Sequence, residues 1–216
     1  MVKQERAVRT REALVRAAAE AFDQDGFAVA SLTRISSRAG VSSGALHFHF
    51  ANKAALADAV EEAAAVVLRT ITQEAARPGR SPLQHLIDAT HRLAEVLRED
   101  VVLRAGFELS GEATRVPRTD LRRCWRHRVE QQVRRCAESG ELREDATADQ
   151  VVTAVVAATV GVEVLGVRDA AWLAPDTIAQ LWRLLLPTLA SEAALARLSP
   201  EGPARPAAGP PARDTR

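Results

Sequence analysis

The stretch SLTRISSRAGVSSGALHFHFANK, residues 31–53, decides the fold of the N-terminal part of this chain. Ser31 or Thr33 can cap a short helix, and Ser42 can cap a second one about ten residues later. Between them, Gly40 permits a turn with positive φ. The pattern therefore predicts a helix-turn-helix, the arrangement by which many proteins place a helix in the major groove of DNA. Two-helix turns also occur in helical proteins that do not bind DNA, so the pattern alone leaves both interpretations open.

The outer positions of this segment have the chemistry that a DNA-contacting helix needs. Small residues at the start of the second helix let its N-terminus approach the groove, where backbone N–H groups attract phosphate. His47 and His49 lie about 200° apart on a helix, so they cannot bind one metal ion and are interpreted as phosphate or base-edge contacts. Thr33 and Lys53 stand at helix starts on either side, where we expect contacts to backbone phosphates. The predicted DNA-contacting residues are Thr33, Ser42, Ser43, Gly44, Ala45, His47, Phe48, His49 and Lys53.

Charge supports a local nucleic-acid surface and excludes a polycation. The net charge is only +1, but no carboxylate occurs between Asp25 and Asp58, where Arg34, Arg38 and Lys53 all fall. Carboxylates on a DNA-facing surface would repel the phosphates, so their absence here favours DNA binding. Chance in an apolar stretch would give the same gap.

Composition predicts an all-α fold with about nine helices. Of the 216 residues 47% are hydrophobic, only 4% are aromatic and none is tyrosine, a mixture that favours helices over sheets. We expect a DNA-binding domain over residues 1–53 and a larger helical ligand-binding and dimerisation domain over 54–198. Residues 199–216 carry five of the ten prolines and are expected to be a disordered tail.

No cofactor or metal is expected, and the protein is expected to be cytoplasmic. Cys124 and Cys136 would lie roughly 18 Å apart on one helix, too far for a disulfide, and neither has histidine or cysteine neighbours at metal-ligand spacing. The longest uncharged apolar run, residues 151–162, is too short to span a bilayer, and the N-terminus has no apolar signal core.

The motif T-x-I-x-x-x-A-G-V-S-x-G-x-L-x-x-H-F-x-x-K-x-x-L, residues 33–56, resembles the N-terminal domain of TetR-type regulators. The run from Gly44 to Phe50, the opening QERAVRTRE and VLRAG at 102–106 are similar to the γ-butyrolactone receptors of streptomycetes, the ArpA-like group. His47 stands where the family usually has Tyr, and Ser43 where it often has Lys. These departures change base or phosphate contacts, so the family's operator preference does not carry over.

The resemblance implies a repressor that binds double-stranded operator DNA as a homodimer and is released by a small γ-butyrolactone-type signal, in the control of antibiotic biosynthesis. It also implies that Trp125 packs on the effector inside the larger domain. Thr159 can orient a carbonyl oxygen, and Phe107, Leu86 and Val155 are candidate walls. Independently of the resemblance, segments 151–166 and 177–198 are too apolar for solvent, which favours a four-helix dimer interface.

Several alternatives stay open. Trp125 could simply be core, and Thr159 could satisfy its own helix backbone. A regulator of the same fold could sense an antibiotic or a biosynthetic intermediate instead of a butyrolactone. The remote alternative is a helical enzyme or a ligand-binding protein that does not bind DNA. Its catalytic groups would be Cys124 with His127, or the carboxylates Glu95, Glu108 and Glu112. The carboxylates are expected at surface positions of helices, and the thiol–imidazole pair has no orienting acid or oxyanion donor, which argues against an enzyme.

Overall fold

Helices make up most of the described part of this chain. The computed structural model describes residues 2–75 and 79–203, which contain ten α-helices, one 3-10 helix and no β-strand. In chain order the α-helices are α1 (Val2–Val29), α2 (Leu32–Arg38), α3 (Ser43–His49), α4 (Lys53–Ala75), α5 (Pro82–Glu99), α6 (Val101–Ser110), α7 (Leu121–Glu138), α8 (Ala148–Gly166), α9 (Pro175–Leu189) and α10 (Glu192–Leu195). The 3-10 helix, Ala170–Leu173, lies between α8 and α9. The predicted all-α class, with an N-terminal helix-turn-helix, is confirmed.

Local capping chemistry sets the helix-turn-helix. α1 bends at Gly26, whose φ of 77° is the left-handed conformation that glycine adopts most readily. Ser31, rather than Thr33, caps α2, and Ser42 caps α3 by accepting a hydrogen bond from a backbone N–H three residues later. Gly40, with φ of 67°, makes the predicted turn between α2 and α3.

Two apolar cores share α4 and α6. The first half of α4 buries Leu56 and Val60 in a core with α1, α2 and α3, whereas the second half buries Leu68 and Ile71 in a larger core. α6 lies very close to α4, because a Cβ on Gly106 would come within 2.4 Å of the Ala64 side chain. The N-terminal core therefore extends past residue 53, where we expected a domain boundary, and two helices connect it to the rest.

The larger core is formed by α4 to α10. Trp125 of α7 and Trp182 of α9 are its largest fully buried side chains. α9 begins at Pro175 in the first helical turn, a position where its missing N–H costs nothing, and ends at Leu189, shortly after Pro187.

The first residues of the predicted tail pack on α5. The side-chain amide of Gln84 exchanges two hydrogen bonds with the backbone of Ser199, at 2.8 and 3.1 Å. His91 forms a 2.8 Å hydrogen bond with the carbonyl oxygen of Pro200, and burial lowers the pKa of its imidazole. Residues 199–203 therefore have defined partners, and the rest of the tail, 204–216, lies outside the described residues.

α8 is long and apolar enough to cross a membrane by length and composition, with a mean hydropathy of 1.6. The helix is longer than the uncharged run of residues 151–162, which by itself is too short to span a bilayer. Only 28% of its residues are buried within the protomer. Its Glu163 is nonetheless buried and paired with Arg122 of α7, a contact made inside the protein. The exposed part of α8 is thus an apolar surface that a neighbouring protein chain could cover.

Candidate functional site

The outer face of α3 is open to solvent. Its exposed residues are Ser42, Ser43, Gly44, His47 and Phe48. Ala45 and His49 are half-buried, and Leu46 is buried below them. Phe48 is 82% exposed, so its ring is open to a partner molecule. The structure therefore brings the α3 residues predicted to contact DNA together at one end of the molecule.

Buried side chains below α3 fix its orientation. Ile35 of α2, Leu46 of α3 and Phe50 after it are packed in the N-terminal core. The guanidinium of Arg11 lies 5.4 Å from the centre of the Phe50 ring, a cation–π contact that joins this end of α3 to α1. These contacts fix the orientation of α3 on α1 and α2, and therefore fix which of its residues face solvent.

The basic residues of α2 pair with α1 instead of standing free. Arg34 forms an ion pair with Asp25 at 2.9 Å, and Arg38 donates a hydrogen bond of 2.9 Å to Gln24. Among the described ion pairs none involves α3, so no carboxylate is held against its outer face. This absence agrees with the acid-free stretch of the sequence.

Thr33 and Lys53, both predicted to contact phosphates, differ in their surroundings. Thr33 is exposed on α2. The ammonium of Lys53 donates to three carbonyl oxygens at the end of α1, those of Phe27, Ala28 and Ala30, at 2.7–3.1 Å. It also lies 4.7 Å from the centre of the Phe27 ring. An ammonium has three N–H donors, so Lys53 uses all of them to join α4 to α1 and has none left for a phosphate in this structure.

Trp125 and Thr159, each predicted to bind the effector, contact one another. The indole N–H of Trp125 donates a 2.8 Å hydrogen bond to the Thr159 hydroxyl, which in turn donates to the carbonyl of Val155 at 2.7 Å. Trp125 is 1% exposed and Thr159 is 5% exposed. Both residues are therefore core residues with satisfied polar groups in this structure, and together they form a polar point within an apolar region.

The remaining predicted wall residues belong to the same core. Phe107 of α6, Leu86 of α5 and Val155 of α8 are all buried within it. A second pair of the same kind occurs between α9 and α5, where the indole of Trp182 donates to the Thr90 hydroxyl at 2.7 Å. Trp182 is thus a core residue of the same kind as Trp125, and no signal in the sequence marks Thr90 as its partner.

A group of charged residues lies between the two cores. Arg104 of α6 binds Asp23 of α1 through two hydrogen bonds, at 2.9 and 3.2 Å. Burial raises the pKa of the neighbouring Glu108, as do the negative charges of Asp23 and Glu163. The small cavity among these residues encloses about 10 Å³, enough for one water molecule at most. It is not an effector pocket.

A second charged contact joins α4 to the loop between α6 and α7. Glu61 of α4 is fully buried and pairs with Arg115 of the loop between α6 and α7. Glu61 follows the helical spacing of the buried Ala57 and Ala64, which is the one signal in the sequence that points to this contact. No signal marks Arg115 as its partner.

The chemistry of an enzyme is not assembled around Cys124. His127 is exposed on α7, where its ring bonds to Gln131 at 2.9 Å and lies 3.7 Å from Glu130. Within residues 2–75 and 79–203, no group of three or more histidine, cysteine or acidic side chains is placed to hold a metal ion.

Comparison with known proteins agrees with this arrangement. Residues 14–60 match the family model of bacterial regulatory proteins, tetR family. The chain is 34% identical over 205 residues to the A-factor receptor protein of Streptomyces griseus, covering 94% of this chain and 71% of that protein.

Solved structures match over almost the whole chain. A γ-butyrolactone receptor (ArpA-like protein) is similar with a TM-score of 0.77 and 30% identity, covering 89% of this chain and 94% of the other. CprB from Streptomyces coelicolor, a TetR family protein solved in complex with its operator sequence, is similar with a TM-score of 0.74 and 28% identity, covering 89% of this chain and 94% of CprB. The exposed recognition helix, the two-core helical fold and these relatives lead to one conclusion: the chain belongs to the TetR family of bacterial regulatory proteins and is related to the γ-butyrolactone receptors.

Proposed function

We propose that this protein is a cytoplasmic transcriptional repressor that binds operator DNA as a homodimer and is released by a γ-butyrolactone-type signal. The observation that carries the proposal is the exposed face of α3, with Phe48 open to solvent near its C-terminal end, on a domain that α4 and α6 join to the core around Trp125. TetR-type regulators are soluble DNA-binding proteins that also bind small molecules, and they are not enzymes.

On DNA, the α3 residues divide into two roles. Ser42, Ser43 and Gly44 form the N-terminal end of the helix, where small side chains allow the backbone to approach phosphates and base edges. His47 and Phe48 supply the side chains that reach further into the groove, and the Phe48 ring suits the methyl group of thymine. The half-buried His49 and the exposed Thr33 lie at the margins, where backbone contacts are expected.

The dimer is proposed to form through the exposed faces of α8 and α9. Leu184 of α9 is 73% exposed, and Val164 and Leu165 of α8 are also exposed. A Cβ on Gly161 would meet nothing within 4 Å in the protomer, which leaves room for close approach of a second helix. Covering these residues in a two-fold four-helix contact would present two copies of α3 to successive major grooves, roughly 34 Å apart.

The effector is proposed to enter the core beside Trp125. A carbonyl or lactone oxygen can accept the indole N–H that Thr159 accepts in this structure, while the aliphatic part of the molecule replaces apolar contacts of Leu86, Phe107 and Val155. The core must open for this, because it is well packed around Trp125. Opening would change the position of α4 and with it the separation of the two α3 helices.

A gel-shift experiment tests the proposal. Duplex DNA from upstream of the protein's own coding sequence is mixed with the full chain and titrated with γ-butyrolactones, furans and antibiotics. Release by a butyrolactone supports the receptor function, and release by an antibiotic alone supports the pseudo-receptor alternative. No shift at low salt would contradict DNA binding altogether.

A further inference from the structure

One side chain of the loop between α6 and α7, residues 111–120, contacts both α4 and α1. Arg115 has only 8% of its side chain exposed, although it belongs to a surface loop. Its guanidinium forms ion pairs with two carboxylates of α4, with Asp58 at 2.5 Å and with the fully buried Glu61. The same guanidinium lies 5.6 Å from the ring centre of Phe27, in the last turn of α1. Arg115 therefore joins this loop to the DNA-binding domain.

Glu61 holds the same loop a second time. Its other carboxylate oxygen accepts the backbone N–H groups of Arg118 and Thr119, at 3.0 and 3.1 Å. A buried carboxylate that loses its cation or its N–H donors is strongly destabilised, so the loop and α4 must move together. The Nε atom of Arg115 is buried with no hydrogen-bond partner among the described residues, which reduces the advantage of this arrangement over an alternative one.

The other end of the loop leads directly to the candidate effector site. Asp120 caps α7 by accepting the N–H of Arg123, and the N–H of Leu121 donates to Ser110 of α6 at 2.8 Å. Trp125 lies about one turn further along α7, facing Thr159. A displacement of Trp125 would thus be carried by the first turn of α7 to Arg118 and Thr119, and from there to Glu61 of α4.

On these contacts we propose that Arg115 is the positioning residue that transmits effector binding at Trp125 to the DNA-binding domain, through Glu61 of α4 and Phe27 of α1. The inference rests on the proposed function and names its internal connection. When the effector moves α7, the Arg115–Glu61 pair changes arrangement and α4 shifts. Without Arg115 the effector still enters the core, but the DNA-binding domain no longer responds.

The test compares operator affinity with and without effector in full-length variants. Fluorescence anisotropy measures the dissociation constant for labelled upstream DNA in the absence and in the presence of a saturating small molecule. The probe is A-factor, after which the Streptomyces griseus relative is named. We expect this ratio to be about 20 or more for the wild type and to fall to about 3 or less in Arg115→Met. Arg118→Met is the matched control, because Arg118 comes from the same loop and its side chain pairs at 3.4 Å with Glu62 of the same helix, but in an exposed position. Its ratio should equal that of the wild type.

Two further measurements keep the outcome decisive. If Arg115→Met does not fold, Asp58→Asn removes only the half-exposed partner and should lower the ratio partway. Amide hydrogen exchange needs no effector: operator binding should change exchange at Arg118 and Thr119 at least about fivefold in the wild type and not in Arg115→Met. Two results would overturn the role of Arg115 but not the proposed function. One is an affinity ratio in Arg115→Met equal to that of the wild type, and the other is amide exchange at Arg118 and Thr119 that does not change when the wild type binds DNA. A wild type that does not bind the DNA overturns the proposed function as well.

Discussion

The indole nitrogen of Trp125 lies 2.8 Å from the hydroxyl oxygen of Thr159, so α7 and α8 share one buried hydrogen bond at the centre of the larger core. The hydroxyl also bonds to the carbonyl of Val155, one turn earlier in α8. An effector oxygen that takes the indole N–H leaves Thr159 still satisfied by its own helix. Exchange of partners at this point therefore costs less than breaking an isolated buried hydrogen bond would.

The hydrogen bond between Trp125 and Thr159 can be removed from either side, with different consequences. Its loss should lower the free energy of unfolding more in Thr159→Val than in Trp125→Phe. Thr159→Val leaves the buried indole N–H without an acceptor, at a cost of about 1–3 kcal/mol in the free energy of unfolding. Trp125→Phe removes the donor itself and should reduce butyrolactone affinity at least about tenfold while operator affinity stays at the wild-type value. Urea unfolding and tryptophan fluorescence measure these effects. A Trp125→Phe protein with unchanged effector response would remove Trp125 from the site.

Phe48 and Phe50 form a matched pair, two residues apart but on opposite sides of the α3 end. Phe48→Ala should leave the unfolding free energy unchanged and weaken operator binding by roughly tenfold, because an apolar base contact is lost. Phe50→Ala should destabilise the domain by about 3–5 kcal/mol, since Phe50 is buried. Thermal unfolding and anisotropy titrations separate the two effects. Equal operator affinity in Phe48→Ala would show that this face of α3 does not enter the groove.

Lys53→Met should act on stability and not on the salt dependence of DNA binding. The variant leaves three carbonyl oxygens at the end of α1 without their cation, which should cost about 2 kcal/mol of unfolding free energy. The slope of log K against log salt should stay at its wild-type value. A slope smaller by about one would mean that Lys53 contacts a phosphate after all.

Leu184→Glu should weaken the homodimer, because it places a charge in the proposed contact between α9 helices. Val116→Glu is the control, since Val116 is also open to solvent but lies in the loop between α6 and α7. Sedimentation velocity should show monomers for the first variant and dimers for the second. A dimeric Leu184→Glu protein would place the interface elsewhere on the chain.

Features that depend on neighbouring residues were predictable from the sequence. Ser42 and the capping box of Thr147 and Gln150 act within one turn of their own helices, and the structure confirms both. Asp176 is of a residue type that often caps helices, but it lies inside the first turn of α9. Ala174 occupies the cap position without a side-chain hydrogen bond, because Pro175 begins the helix. The preference of proline for the first helical position therefore set the start of α9, rather than the capping preference of aspartate.

Features that depend on distant residues were not predictable in the same way. Trp125 and Thr159 were each singled out, but their hydrogen bond joins residues 34 positions apart and depends on how α7 packs against α8. The sequence predicted a phosphate contact for Lys53, because nothing in residues 31–53 shows that the end of α1 lies beside its ammonium group. Glu61 could have been found, since it lies on the stripe of Ala57, Ala64 and Leu68, where a buried carboxylate requires a partner.

One titration can show whether a small molecule in the core releases α3 from DNA. Fluorescence anisotropy of labelled upstream DNA is followed as the full-length protein is added, and then as a γ-butyrolactone is added to the complex. We expect the anisotropy to rise with protein and to return to the value of free DNA with butyrolactone, and we expect Phe48→Ala to need about ten times more protein for the same rise. A complex that forms and then stays intact at every butyrolactone concentration would contradict it.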